Sequence, residues 1–447
     1  MLARVNRAKG KDTFFLTGTD EHGYKQQITA KELKTTPQKL ADENVKHFKS
    51  LYKDLGISYD RFIRTTEASH KKAAQKLWQA CEKDIYKSDY SGLYCVGCER
   101  FITEKELADG KCPEHNKAPQ KLTMESYFFK LSNYTRQIEK LIESDELRVT
   151  PQSRKNEILA LVRGGLEDVS ISRPKTQLDW GVEVPGDPDH VMYVWYDALS
   201  NYISAVGYEE DEEKFQKFWP ADLHIIGKDI VRFHAALWPA MLISAGLKIP
   251  KAVYAHGFIA GKGGQKMSKS LGNVIDPGEV IKKYGSDALR YYLLREVPWD
   301  QDGEFSWERL QQVYDADLAN DLGNLVQRVS NMIEKYLDGK IGKLDALQVD
   351  YSEIEPILEA YRFNDALELI WKRIRLANQK IDTEKPWELF KSDKDKLEKL
   401  LNDLSREIFV IACFAAPFLP NTGQKIFKQF TVGKVKPGEI LFPKKDA

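Results

Sequence analysis

A chain of 447 residues is longer than one ordinary core supports and implies two to four domains. Its 42% hydrophobic share, with 11% aromatic residues, is that of a chain folded almost throughout, and it excludes a disordered or low-complexity protein. Lysine plus arginine and aspartate plus glutamate stand at 67 each, which excludes a globally cationic field, so any nucleic-acid partner must be held by local basic surfaces.

The first residues read as the end of a helix, a turn at Gly10, and a buried strand at Phe14-Phe15-Leu16 that runs out at Gly18-Thr19-Asp20. A helix-rich stretch follows to about residue 85, and from 86 to about 125 the pattern turns short, turn-rich and cysteine-bearing, as in an inserted module. Strand-like runs return at Val191 to Val194, Leu223 to Ile226 and Val253 to Ile259, each followed by a loop or helix, as in an α/β sheet with crossover helices. Beyond about residue 305 amphipathic helical patterns run to about 430, the signature of a helix bundle. The start of the chain has no apolar signal segment. The longest apolar stretch, Ile408 to Leu419, is interrupted by Pro417 and too short for a bilayer, so a cytoplasmic protein without membrane contact is expected.

Within the insertion, Cys95-Val96-Gly97-Cys98 is followed after thirteen residues by Cys112-Pro113-Glu114-His115. Two residues between the members of each pair let a tight turn aim two donors at one ion. The four ligands Cys95, Cys98, Cys112 and His115 would close a tetrahedral, structural zinc site with no open position for chemistry. Cys81 and Cys413 stand alone, a pattern that suits metal binding in a reducing compartment better than a disulfide framework.

Trp195, Ala198 and Tyr202 fall at i, i+3 and i+7 and share one helix face, which could form a pocket wall although an aromatic stripe at this spacing is more often core. Gly227-Lys228-Asp229 follows a strand and opens the helix that continues through His234 and Trp238. A carboxylate there can cap the helix, or accept hydrogen bonds from ribose hydroxyls at the carboxyl edge of a doubly wound sheet. Gly261-Lys262-Gly263-Gly264-Gln265 leads into Lys266-Met267-Ser268-Lys269-Ser270-Leu271-Gly272-Asn273, a glycine-rich loop with closely spaced ammonium groups. Such groups, brought in by a closing loop, can stabilise charge as it develops on departing phosphate oxygens, and Lys266 and Lys269 are the candidates.

Taken together these segments resemble the methionyl-tRNA synthetases, a class I aminoacyl-tRNA synthetase family of bacterial type with one zinc knuckle, from about residue 2 to residue 443. The resemblance makes the lysine loop the second ATP-handling motif and assigns Gly227 and Asp229 to the ATP ribose. Val194-Trp195-Tyr196-Asp197-Ala198-Leu199-Ser200-Asn201-Tyr202 is similar to the methionine-pocket segment, with Trp195, Ala198 and Tyr202 lining it and Leu199 where some relatives have proline. Ile230 and His234 occupy two further pocket positions. Thr17-Gly18-Thr19-Asp20-Glu21-His22-Gly23 is also similar to the family, and there Asp20 would hold the substrate's α-ammonium group. Near the run Leu318-Ala319-Asn320-Asp321-Leu322-Gly323-Asn324-Leu325, Asn324 and Arg328 stand four apart on one helix face and, with Trp387 after Pro386, match anticodon-reading positions.

The expected fold is therefore α/β: a doubly wound, Rossmann-like parallel sheet with an inserted zinc-knuckle module and a C-terminal α-helix bundle. Residues 1–85 would be the first part of the catalytic domain and 86–155 the insertion. Residues 156–245 would complete the catalytic domain, 246–305 would be the stem-contact region with the lysine loop, and 306–447 the anticodon-binding bundle. The implied reaction joins methionine to tRNA(Met) through methionyl-adenylate, using ATP with magnesium, and a monomer is expected. One family feature, the His-Ile-Gly-His turn after a first strand, has no match here, and Met1-Leu2-Ala3-Arg4 resembles the interior of the helix that follows it. That implies an N-terminally truncated chain with an open slot in its sheet and little activating ability. Two alternatives remain open at this stage. One is a related synthetase for leucine, isoleucine, valine or cysteine, although the short insertion leaves no room for a large editing domain. The other is a non-catalytic tRNA-binding protein derived from a synthetase.

Overall fold

The computed structural model describes residues 1–95, 100–102, 104–113, 116–265, 267, 274–344, 347–431 and 433–445. The chain divides into two compact units: Phe14–Ser50 with Tyr59–His256, and Met1–Thr13 with Leu51–Ser58 and Gly257–Ala447.

The first unit carries the strands that matter for the site. Leu16–Thr19 pairs in parallel with Arg61–Arg64, Leu16 opposite Arg61 and Thr19 opposite Arg64. A Cβ on Gly18 would stand 2.0 Å from the Ile63 carbonyl oxygen, so only glycine permits this approach. A second parallel group runs in the order His224–Gly227, Ala252–His256, Arg148–Thr150. Its middle strand is buried along Ala252, Val253, Tyr254 and Ala255, as expected of a parallel strand covered on both faces. The sequence led us to expect one sheet; among the described residues of this unit the parallel strands form two pieces that share no ladder, and a third parallel pair, Ile259–Ala260 with Gly303–Glu304, belongs to the second unit. On the outer strand His224–Gly227, Ile225 is 52% exposed between buried His224 and Ile226, so one face of that strand is uncovered.

The inserted module is more regular than its turn-rich sequence implies. Ile85–Cys95 and Gln120–Phe129 form a long antiparallel pair, from Ile85 opposite Phe129 to Tyr94 opposite Gln120. Arg100–Ile102 and Val169–Ser170 flank that pair. Behind the strands, one core gathers Leu77, Phe129, Ile138, Tyr196 and Trp238, all fully buried.

The second unit is chiefly helical. In Lys394–Ala415 the residues Leu397, Leu401, Leu404, Ile408, Ile411 and Ala415 recur at three- and four-residue spacing and are buried, while Asp393 caps the start by accepting from the Lys396 amide at 2.9 Å. Phe363–Glu384 turns Ile370, Trp371, Ile374 and Ile381 into the same core. Tyr314–Gly323 winds as a π-helix, which frees backbone carbonyls from the usual ladder. Side chains of the neighbouring helix meet them, Trp371 Nε1 donating to the Asp317 carbonyl at 3.2 Å and Asn378 Nδ2 to that of Asp321 at 3.1 Å. No helix among the described residues is long and apolar enough to cross a membrane.

Candidate active site

An aromatic cluster in the first unit gathers most of the residues expected to line a side-chain pocket. Trp195 and Ala198 lie on the helix Val194–Leu199 and Tyr202 on the short helix Asn201–Ser204. These are not the single helix that the i, i+3, i+7 spacing predicts. At the break, the Ser200 hydroxyl donates to the Asp197 carbonyl at 2.6 Å and the Asn201 side chain bonds the Ala198 carbonyl, so side chains compete with the helical ladder. Tyr202 is still brought against His234, its hydroxyl 2.8 Å from His234 Nε2. His234 Nδ1 lies 3.1 Å from the Ile230 carbonyl, which can only accept, so Nδ1 carries the proton and Nε2 accepts from Tyr202.

The helix expected to open at Gly227 is also irregular. A short 3₁₀ turn at Lys228–Ile230 gives way to a π-helix at Phe233–Leu237 and then to the α-helix Trp238–Ser244. That winding presents Phe233 and His234 together. Phe233 stacks on Trp195 with centroids 4.2 Å apart and planes 9° from parallel, while His234 meets Trp195 edge-on at 6.1 Å. Behind them His224, 4.0 Å from the Tyr202 ring, accepts from Trp238 Nε1 at 3.2 Å. Burial holds the His234 imidazole down at about 4 against an ordinary 6.5 and depresses His224 well below its usual value, with His234 beside it adding to the effect. Burial likewise pushes the Tyr202 phenol up. The lining is thus uncharged at neutral pH and suits an uncharged, polarizable group met by ring faces.

Asp20 stands exposed after the strand Leu16–Thr19, at the head of a clamped loop. The next residue, Glu21, is buried and ion-paired to Arg64 at 2.7 Å, and its backbone carbonyl accepts from Trp180 Nε1 at 2.6 Å. His22 Nδ1 donates to Asp197 Oδ2 at 2.6 Å, and His70 Nε2 donates to Asp197 Oδ1 at 2.7 Å. Burial works against ionisation of Asp197, yet its imidazole partners hold the carboxyl well below the usual carboxylate range. Sequence reasoning passed over Glu21, His22, Arg64, His70, Asp197, His224 and Phe233. The signal for Glu21 and His22 was their place beside Asp20; the others lie far along the chain from the groups they meet.

Of the nucleotide candidates, half-buried Gly227 ends the strand His224–Gly227 and exposed Asp229 sits in the turn that follows. Lys266 and Lys269 lie outside the described residues. The glycine-rich lead to them belongs to the second unit, with Gly263 and Gly264 both at φ 73° and the Gly263 amide donating to Glu304 at 3.2 Å. In the insertion, Cys95 and Cys112 are buried and pack in one small cluster with Ile102, whereas Cys98 and His115 lie outside the described residues. No group of three or more metal-capable side chains occurs among the described residues. In the second unit Asn324 is exposed at the start of the helix Asn324–Leu337, and Arg328 one turn on pairs with Asp382 at 2.5 Å. Trp387 is 44% exposed on the helix Pro386–Ser392.

The family model for class I tRNA synthetases (M) matches residues 1–123 and 107–330. A methionine–tRNA ligase of Caldanaerobacter subterraneus subsp. tengcongensis is 45% identical over 479 residues, spanning 100% of this chain and 75% of the relative. One from Clostridium acetobutylicum is 44% identical, over 100% of this chain and 74% of its own length. Among solved structures, Mycobacterium tuberculosis methionyl-tRNA synthetase bound by methionyl-adenylate superposes with a TM-score of 0.92 at 38% identity, covering 99% of this chain and 94% of that one.

Proposed function

This chain belongs to the class I methionyl-tRNA synthetases, and from that premise we propose that it couples ATP cleavage to methionine activation and charges tRNA(Met). Methionine and ATP give methionyl-adenylate and pyrophosphate, and the methionyl group then passes to the terminal ribose of the tRNA. The observation that carries the reading is the uncharged aromatic lining formed by Trp195, Tyr202 and His234 with the Ile230 backbone. Methionine offers a thioether with no charge, so ring faces and shape must select it. In this reading Ala198 leaves room for the side chain and Asp20 takes the α-ammonium group. Gly227 and Asp229 hold the ribose, while Lys266 and Lys269 stabilise charge growing on the leaving pyrophosphate. Magnesium bound with ATP supplies further compensation of phosphate charge.

Two buried thiols in one small cluster fit half of a tetrahedral zinc site, which Cys98 and His115 would complete with Cys95 and Cys112. Zinc there would cross-link the module and leave no open position for chemistry. Asn324 and Arg328 would bond anticodon bases and Trp387 would stack on one, with 306–447 as the anticodon-binding bundle. We take the protein to act in the cytoplasm as a monomer. Family membership and the assembled pocket favour a ligase over the non-catalytic tRNA-binding reading, and methionine over the other class I amino acids.

The test is equilibrium methionine binding followed by tryptophan fluorescence, together with methionine-dependent ATP–pyrophosphate exchange. Saturable binding that leucine does not compete supports the proposal. Binding of tRNA(Met) without any binding of methionine would turn the reading to the non-catalytic alternative, and binding of neither would refute both.

A further inference from the structure

We infer that His22 is a positioning residue that registers the Asp20 loop against the pocket helix through Asp197, so that recognition of the substrate's charged end is locked to recognition of its side chain. The inference rests on the proposed roles of Asp20 and the aromatic pocket, and adds residues to which neither role assigns any part. Asp197 sits on the helix Val194–Leu199 between Trp195 and Ala198, and its side chain is fully buried. One carboxylate oxygen takes the His22 N–H at 2.6 Å and the other the His70 N–H at 2.7 Å, tying together the loop, the pocket helix and the helix Ala68–Ala80. His70 Nδ1 lies 3.0 Å from the Ser204 hydroxyl, on the same short helix as Tyr202.

A desolvated carboxylate is tolerable only while its donors stay in place, so this pairing fixes the loop to within hydrogen-bond tolerance. His22 has little freedom to compensate. Its ring meets Trp180 edge-on with centroids 5.3 Å apart, and Trp180 is bonded to the Glu21 carbonyl and accepts from the Gly23 amide at 3.3 Å. The other ring nitrogen, Nε2, is buried and meets no hydrogen-bond partner among the described residues. The Nδ1 side therefore holds the imidazole. Two residues before His22, Asp20 is exposed at the head of this clamped stretch, where small displacements of the loop translate directly into its carboxylate position.

Two isosteres separate the nitrogens: the asparagine amide nitrogen takes the place of Nδ1, and that of glutamine takes the place of Nε2. The experiment measures affinities of the wild-type chain, His22→Asn and His22→Gln for L-methionine and for 4-(methylsulfanyl)butanoate, which keeps the thioether chain and carboxylate but lacks the α-ammonium group. The ratio of the two affinities reads ammonium recognition alone and is insensitive to partial unfolding. Wild type is expected to prefer methionine by about tenfold or more, His22→Asn to keep that preference within about threefold, and His22→Gln to lose most of it. A merely structural His22 would weaken both ligands equally and leave the ratio untouched, overturning the inference. Loss of the preference in His22→Asn but not in His22→Gln would make Nε2 the operative atom and overturn it as well. A wild-type chain that binds both ligands equally would instead strike at the role of Asp20, and the inference would fall with it.

Discussion

Acidification should expose the cost of keeping His234 neutral inside the aromatic cluster. In the unfolded chain this imidazole takes a proton near 6.5, whereas in the folded protein burial holds it at about 4. Between those values the unfolded state binds more protons, so stability is fully present above about pH 6.5 and is lost as pH falls toward about 4. At about 1.4 kcal/mol per pH unit, the loss from this group reaches about 2 kcal/mol at about pH 5 and about 3 kcal/mol near pH 4. Because the ring is buried, solvent screening does not reduce that figure much. The assay is urea unfolding, followed by tryptophan fluorescence across this range, for wild type and His234→Gln. Glutamine keeps an acceptor for the Tyr202 hydroxyl and has no titration, so wild type should lose about 2 kcal/mol more than the variant between about pH 7 and about pH 5. Profiles that stay parallel would show that the folded imidazole titrates near its ordinary value, and the argument from burial would be wrong.

Three further outcomes are expected. Gly18→Ala places a methyl 2.0 Å from the Ile63 carbonyl oxygen and should cost about 3 kcal/mol or more, read as a lower melting temperature; unchanged melting would mean the two strands separate at little cost. Metal analysis should find zinc in wild type and none in Cys95→Ser, which should still bind methionine with little change, whereas equal zinc in both proteins would remove Cys95 from the ligand set. Arg328→Ala should weaken tRNA(Met) binding by about 1–3 kcal/mol and leave methionine binding unaltered; its pairing with Asp382, which is 64% exposed, is cheap to break in favour of a base. Equal affinity for tRNA(Met) in both proteins would discard Arg328 as a reader.

The patterns legible in the sequence alone lie at short range. The spacing of Cys95, Cys98, Cys112 and His115, the lysine loop from Lys266 to Lys269, and the recurrence of Leu397, Leu401, Leu404 and Ile408 can all be read within a few turns of chain, because hydrogen-bond periodicity and ligand spacing are local. Trp195, Tyr202 and His234 were legible as candidates through their order in familiar segments, and the structure gathers them around one lining. The tertiary structure decided the rest. Nothing in the local pattern announces the π-winding at Phe233–Leu237 and Tyr314–Gly323, and in the second of these side chains of a neighbouring helix meet the Asp317 and Asp321 carbonyls. The helix break at Ser200 comes from side chains that outbid the ladder, and the described parallel strands of the first unit form two pieces where the sequence pattern leads one to expect a single sheet. The same holds for the Asp197 pairing: its partners His22 and His70 lie 175 and 127 positions away, and a buried carboxylate chooses its donors by position in space, which spacing along the chain does not encode.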